Sequence, residues 1–155
     1  IQCDFNMPER FKLSFMNEKS EKEQPVVIHR AICGSIERFM SLLIEHFAGK
    51  FPLWLSPVQV KIITVTDRSN DFAYDLAKQL RQHDIRVEVD DRSETMGRKI
   101  RDAQLAKANY ILTIGDKELE NKTLAVRSRD GEQEFGVSVE DLVKKVVKER
   151  DDKTM

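Results

Sequence analysis

The chain has 155 residues, 40% of them apolar and 34% charged, with 26 Lys and Arg against 27 Asp and Glu and a net charge of -1. That length suits one domain, or one domain plus part of another, and the apolar content is enough for a core. The balanced charge excludes a polybasic nucleic-acid tail and a strongly acidic disordered chain, while a local basic face stays possible.

Residues 1–16 alternate loosely through Ile1, Cys3, Phe5, Phe11, Leu13 and Phe15, which predicts two strands with Pro8 as the turn between them. NEKSEKEQ, residues 17–24, is polar and unpatterned and reads as a hairpin loop. After Pro25, the apolar run Val26 to Ile32 predicts a buried strand. Ser35 then suits a helix N-cap, and Ile36, Phe39, Met40, Leu43, Ile44 and Phe47 form one helical stripe that Gly49 ends. FPLWLSP, residues 51–57, holds two prolines around Trp54 and breaks regular structure. The predicted domain boundary lies here, dividing the chain into 1–54 and 55–155.

Beyond it the predicted elements are a buried strand over Val58–Thr66, a helix over 69–83, a strand over Ile85–Val89 and a helix over 94–107. A buried strand over Tyr110–Ile114 ends at Gly115. Thr123–Ser128 is a further strand, Asp130-Gly131 a turn, and Phe135–Val137 a short paired strand. A last helix covers 138–149 with Ser138 at its cap. This order gives an α/β fold, a sheet with helices on its faces.

Two cysteines, Cys3 and Cys33, are too few for a disulfide framework and fit a reducing intracellular compartment. No apolar run is long enough to span a membrane. The start at Ile1, in mid-pattern, suggests a fragment.

Three stretches have the residue types for chemistry, the first running from His29 to Arg38. His29 on a predicted strand is either a metal ligand or a structural histidine, and a zinc site needs three or four ligands. Arg38 in the first turn of a helix opposes the helix dipole, so it calls for an anion such as a triphosphate, or for a salt bridge to Glu37 or Asp4. In RSETMGRKIR, residues 92–101, Arg98, Lys99 and Arg101 either neutralise phosphates or form a solvated face beside Glu94 and Asp102. Gly115 closes a strand where open α/β sheets bind ligands; Glu118 can accept from base amines and Arg127 can pair with a guanine-type edge, with Arg129 close by. Ordinary surface ion pairs are the other reading of that cluster. Neither G-x-G-x-x-G nor G-x-x-x-x-G-K-[ST] is present, which argues against a small nucleotide-binding α/β protein.

The run VVIHRAICGSIERFMSLLIEHFAGKFPLWLSPVQVKIITVTD, residues 26–67, closely resembles the threonyl-tRNA synthetase family across its catalytic–anticodon junction. GSIERF looks like motif 3 of the class II synthetases, and IHRAI before it like the threonine-specific form. IQCDFNMPERFKLSF resembles the strands leading into that motif, and RSETMGRKIRDAQ, YILTIGDKE and LAVRSRDGEQEFG resemble the anticodon-binding domain. The resemblance implies a mixed-sheet anticodon-binding domain flanked by helices, preceded by an antiparallel β plus helix fragment of the class II catalytic domain.

By the same resemblance, Arg38 would hold the triphosphate of ATP, supplied with Mg2+, and Gln2 and Ser35 would line the adenylate pocket. His29 would be one of three protein ligands of a catalytic Zn2+ that binds threonine; Cys3 and Cys33 are not the others. Glu118 and Arg127 match anticodon-reading positions, with Ser93 and Glu94 in the adjoining loop. Ser93 stands where the family often has Asn, and Asn109 where it often has Pro. The implied activity is threonine–tRNA ligation through threonyl-adenylate, with tRNA(Thr) as partner, a homodimer for the full-length enzyme, and a cytoplasmic or alternatively mitochondrial location. Lacking two zinc ligands and motifs 1 and 2, this piece alone is expected to be inactive. A free-standing tRNA-binding module without catalysis is the alternative, and His29 and Arg38 in motif 3 context argue against it. Residues 57–155 hold 19 basic and 20 acidic residues, so attraction for RNA there must come from local placement at residues 98–101 and 127–129.

Overall fold

The computed structural model describes residues 1–154, in two compact units, Ile1–Glu45 and His46–Met155. In the first unit, β1 (Gln2–Asp4) pairs antiparallel with β4 (Val27–His29), setting Gln2 opposite His29 and Cys3 opposite Ile28. Between them lie α1 (Asn6–Arg10) and a small hairpin of β2 (Phe15–Met16) and β3 (Lys22–Glu23). The hairpin turn is built by Asn17, whose Oδ1 accepts from the Lys19 and Glu21 amides at 2.9 Å.

Pro8 is not the turn that the sequence predicts. It is the third residue of α1, where the missing N–H would have had no helical partner, so the ring costs nothing there. Asp4 supplies the cap, its Oδ1 accepting from the Asn6 and Met7 amides at 2.9 Å. The predicted buried strand over Val26–Ile32 also shortens to three residues. Ile28 is 64% exposed, because β4 has only β1 beside it within this unit. The stripe of α2 (Ile36–Phe47) is likewise uncovered: no residue of the helix is buried and Ile36 is 75% exposed. Its cap is the predicted one, with Ser35 Oγ accepting from the Arg38 amide at 3.3 Å.

The second unit is a five-stranded sheet of order β6-β5-β7-β8-β9, formed by β5 (Val60–Thr64), β6 (Val87–Asp90), β7 (Tyr110–Ile114), β8 (Leu124–Ser128) and β9 (Gln133–Val137). The first three strands are parallel, and β8 and β9 return antiparallel. The inner parallel strands β5 and β7 are largely buried because both of their faces are covered, whereas edge strand β6 alternates and exposes Glu88. On one face, Val60, Ile62, Leu112, Ile114, Leu124 and Val126 pack with Leu76 and Leu80 of α3 (Asn70–Gln82) and Leu142 and Val146 of α6 (Val139–Asp151). On the other face, Ile63 and Ile111 meet Ile100 and Ala103 of α4 (Met96–Leu105) and Ala108. That second layer stops at β7, so β8 and β9 present a bare face beside α4. Among the described residues no helix is long and apolar enough to cross a membrane.

Chain order and sheet order then place the site. The connection from β5 runs outward to β6, and the next returns past β5 to β7. The direction therefore reverses between β5 and β7, the point at which open α/β sheets leave a crevice at the carboxyl ends of their strands. The sequence predicts no helix after Gly115, yet α5 (Asp116–Asn121) follows it. It is a short, polar helix without an apolar stripe. Its one local signal is Glu118 three residues after Gly115, the spacing of a capping box.

Candidate nucleic-acid interface

The crevice of the second unit consists of two pockets that share Val65, the first residue after β5. One is a groove of about 340 Å³ on the bare sheet face, walled by Met96, Ile100, Thr113, Ala125 and Phe135 and edged by Glu118, Arg127 and Gln133. The other, about 370 Å³, is polar and lined by Thr64, Thr66, Asp67, Ser93, Glu94 and Lys99. Glu118 and Arg127 therefore share one pocket, and Ser93 and Glu94 line its neighbour.

Each polar group has a structural reason for its position. Glu118 Oε2 accepts from the Gly115 amide at 3.0 Å, which anchors the carboxylate at the end of β7. Arg127 alternates with core-facing Val126, and its cross-strand partner is Gln133. With the Gln133 amide turned so that its oxygen faces the guanidinium, that oxygen accepts from Arg127 Nε at 3.0 Å and from Nη2. The groove thus has a two-pronged cationic donor, a carboxylate and apolar walls. Such a set suits the flat, polar-edged face of an unpaired base.

The three cations at residues 98, 99 and 101 do not form one patch. Successive residues on a helix point about 100° apart, and this divides them. Lys99 turns inward, 3% exposed, and Nζ donates to the Thr64 carbonyl at 2.9 Å. Arg98 pairs with Glu94 at 3.1 Å, while Arg101 is exposed. Arg129 is also withdrawn from the groove, since Nη1 donates to the Phe51 carbonyl at 2.6 Å.

The loop carrying Ser93 and Glu94 is fixed by a charge pair that sequence reasoning missed. Arg92 grips buried Asp90 by two bonds, Nη2 to Oδ2 at 2.7 Å and Nε to Oδ1 at 2.9 Å, and reaches Asp102 at 2.9 Å. The side-chain bonds from Arg92 hold the Asp90 carboxyl below the usual carboxylate range, against the opposing effect of burial. A depressed folded-state pKa contributes stability above the unfolded value, about 3.9, and that stability is lost as pH falls through the folded value. Asp90→Asn should therefore lower the urea midpoint at pH 6. The gap to the wild-type protein should shrink as pH drops below about 4. A gap that stays constant from pH 6 to pH 3 would show that the ionised carboxylate contributes nothing.

In the first unit, His29 Nε2 lies 3.3 Å from Asp4 Oδ2, and the Met7 amide, ahead of His29, holds Asp4 below the usual carboxylate range. Gln2 is the cross-strand neighbour of His29, and Ser35 and Arg38 share the first turn of α2. Among the described residues Arg38 forms no salt bridge, so neither Glu37 nor Asp4 accounts for it. Among the same residues no three His, Cys, Asp or Glu side chains gather to hold a metal, and Cys3 and Cys33 are free and exposed. A single imidazole, already turned to Asp4, does not fit a zinc centre by itself.

The fold and the crevice define an α/β ligand-binding domain whose groove offers base-sized apolar walls with hydrogen-bonding edges. The family model of the anticodon binding domain matches residues 59–149, and that of the tRNA synthetase class II core domain (G, H, P, S and T) matches residues 1–47. The chain belongs to the anticodon-binding domain family, and it carries part of a class II synthetase core ahead of that domain.

It is 55% identical over 130 residues to the threonine–tRNA ligase of Finegoldia magna, a match covering 84% of this chain and 20% of that protein. To the threonine–tRNA ligase of Desulforamulus reducens it is 50% identical over 155 residues, 100% of this chain and 24% of that protein. The chain thus spans about a quarter or less of the length of these relatives. Among solved structures, the RNA binding domain of threonyl-tRNA synthetase from Cryptosporidium parvum Iowa II superposes with a TM-score of 0.71 at 35% identity, covering 96% of this chain and 38% of that one. Prolyl-tRNA synthetase from Cryptosporidium parvum, at 22% identity and a TM-score of 0.64 over 96% of this chain and 33% of that one, shares the fold.

Proposed function

We propose that the chain is part of a threonine–tRNA ligase, that its second unit reads the anticodon loop of tRNA(Thr), and that Glu118 and Arg127 make the base contacts. The observation that carries this reading is the groove at the sheet's reversal point. There a guanidinium fork and a carboxylate flank apolar walls in a domain without a bulk basic field. Direct readout rather than charge attraction supplies the discrimination in such a site. Ser93 and Glu94 in the neighbouring pocket take the adjoining nucleotide. We place the division between the two functional parts after residue 54, between the segments that match the two families.

In the ligase, the threonine carboxylate attacks the α-phosphorus of Mg2+-bound ATP, giving threonyl-adenylate and pyrophosphate, and the terminal ribose of the tRNA then takes the threonyl group. Arg38 would clamp the phosphates, a role supported by its lack of a carboxylate partner among the described residues and worth ~10²–10³ in rate for one well-placed donor. Gln2 and Ser35 border the adenylate, Ser35 through its position, since its hydroxyl already caps α2. His29 would supply one zinc ligand among others outside this chain. The reading includes a homodimeric ligase in the cytoplasm, or alternatively in the mitochondrion.

The test is a binding titration of the 155-residue chain with a fluorescent tRNA(Thr) anticodon stem–loop and with the same stem carrying a scrambled loop. The cognate loop should bind at least about tenfold more tightly, the equivalent of one well-read base. Equal affinity for both loops would overturn the assignment of base reading to this groove.

A further inference from the structure

Resting on the reading of the groove as a base-binding site, we infer that Phe135 is the stacking platform for the base whose edge Arg127 reads. The observation is a bulge in β9. Arg127 faces Gln133 and Val126 faces Glu134, but Leu124 faces Val137, so Phe135 and Gly136 together oppose Ala125. Gly136 takes φ +73°, while a Cβ there would meet nothing within 4 Å. The conformation, rather than crowding, is what calls for glycine at this position. Bulges re-aim a side chain where a sheet edge carries a site.

Ordinary alternation after Glu134 turns Phe135 to the groove, and the extra residue at Gly136 returns Val137 to the core, so that Phe135 is the last side chain of β9 on the groove face. Glu134 points to the helix-covered face, where Lys145 Nζ bonds its carboxylate at 2.7 Å. Val137 returns to that core. Phe135 lines the groove on the opposite face and is 74% exposed. A lone exposed phenylalanine needs no explanation, but this one lies in the same groove as a guanidinium whose Nε and Nη2 face the Gln133 amide oxygen. That oxygen occupies the place a base carbonyl would take. A planar ligand with an acceptor edge for Arg127 and a π-face for Phe135 satisfies both, and an unpaired RNA base is that ligand. Gln133 is then the stand-in that keeps the Arg127 fork aligned until the base displaces it.

The experiment measures affinity for the fluorescent anticodon stem–loop with Phe135→Ala, Phe135→Leu, Phe135→Trp and, as reference, Arg127→Ala, all in the full chain. Stacking predicts a loss on the order of tenfold for Phe135→Ala, most of that loss for Phe135→Leu, and recovery in Phe135→Trp. The salt dependence should be unchanged, because no phosphate contact is removed. Leucine binding as well as phenylalanine would overturn stacking, since leucine keeps the apolar bulk. Wild-type affinity in the alanine variant, with a loss in Arg127→Ala, would overturn the role of Phe135 while leaving the groove's function standing. No loss in any variant would overturn both.

Discussion

Replacing Arg127 with alanine should weaken binding of the threonine anticodon loop by about 10- to 100-fold and remove most of the preference over a scrambled loop. The magnitude follows from what is lost: a bidentate contact to a base edge is worth ~1–3 kcal/mol of discrimination. Arg127 is half-buried on β8, and its cross-strand neighbour is a neutral amide rather than a carboxylate. Its charge is therefore available to a ligand. Lysine at this position should not restore the preference, because an ammonium presents a point charge without the planar fork. Salt titrations separate base contact from phosphate contact. A base contact leaves the slope of log K against log salt unchanged, whereas a phosphate contact lowers it by about one. A uniform loss on both loops with a reduced slope would reassign Arg127 to the backbone.

Leu112→Ala should destabilise the second unit by about 2–5 kcal/mol, the usual cost of removing a buried leucine from a closely packed core. Leu112 lies in the central strand β7, is fully buried, and belongs to the cluster packed under α3 and α6. Its strand is held on both sides, by β5 and β8, so the backbone has little freedom to close the cavity. The readout is built in. Trp54 is the chain's one tryptophan and belongs to the same unit, so its fluorescence through a urea titration reports that unit's unfolding. A loss below about 1 kcal/mol would mean that the core relaxes around the missing side chain.

The elements most legible in the sequence are those whose signals agree. Tyr110–Ile114 is an apolar stretch, interrupted only by the β-branched Thr113 and stopped by glycine, and it is β7 to the residue. The helix opening at Ser35 has both its cap and its stripe. Where signals are local and weak, the reading fails for identifiable reasons. Pro8 reads as a breaker, although proline is harmless in a first helical turn. α5 is too short and too polar to show a period. Lys99 reads as a surface cation, yet it spans the layer between α4 and β5 to reach a carbonyl. For the site, Glu118 and Arg127 are visible as residue types after a strand-ending glycine, and the structure brings them to one groove. Gln133 and Phe135 escape because a polar amide and a lone phenylalanine near a turn do not announce which face of the sheet is left uncovered.

The unequal covering of the sheet separates two kinds of inheritance within a single strand. In β8, Leu124 and Val126 are buried beneath helices, while Ala125 and Arg127 look out into the groove. In β9 the outward positions are again few, Gln133 and Phe135. Substitutions at these four places should therefore change the groove while leaving the helix-covered core intact. On the proposed reading, such a domain could be retuned to a different loop sequence in small steps, because its vocabulary and its grammar are written on opposite sides of the same strands.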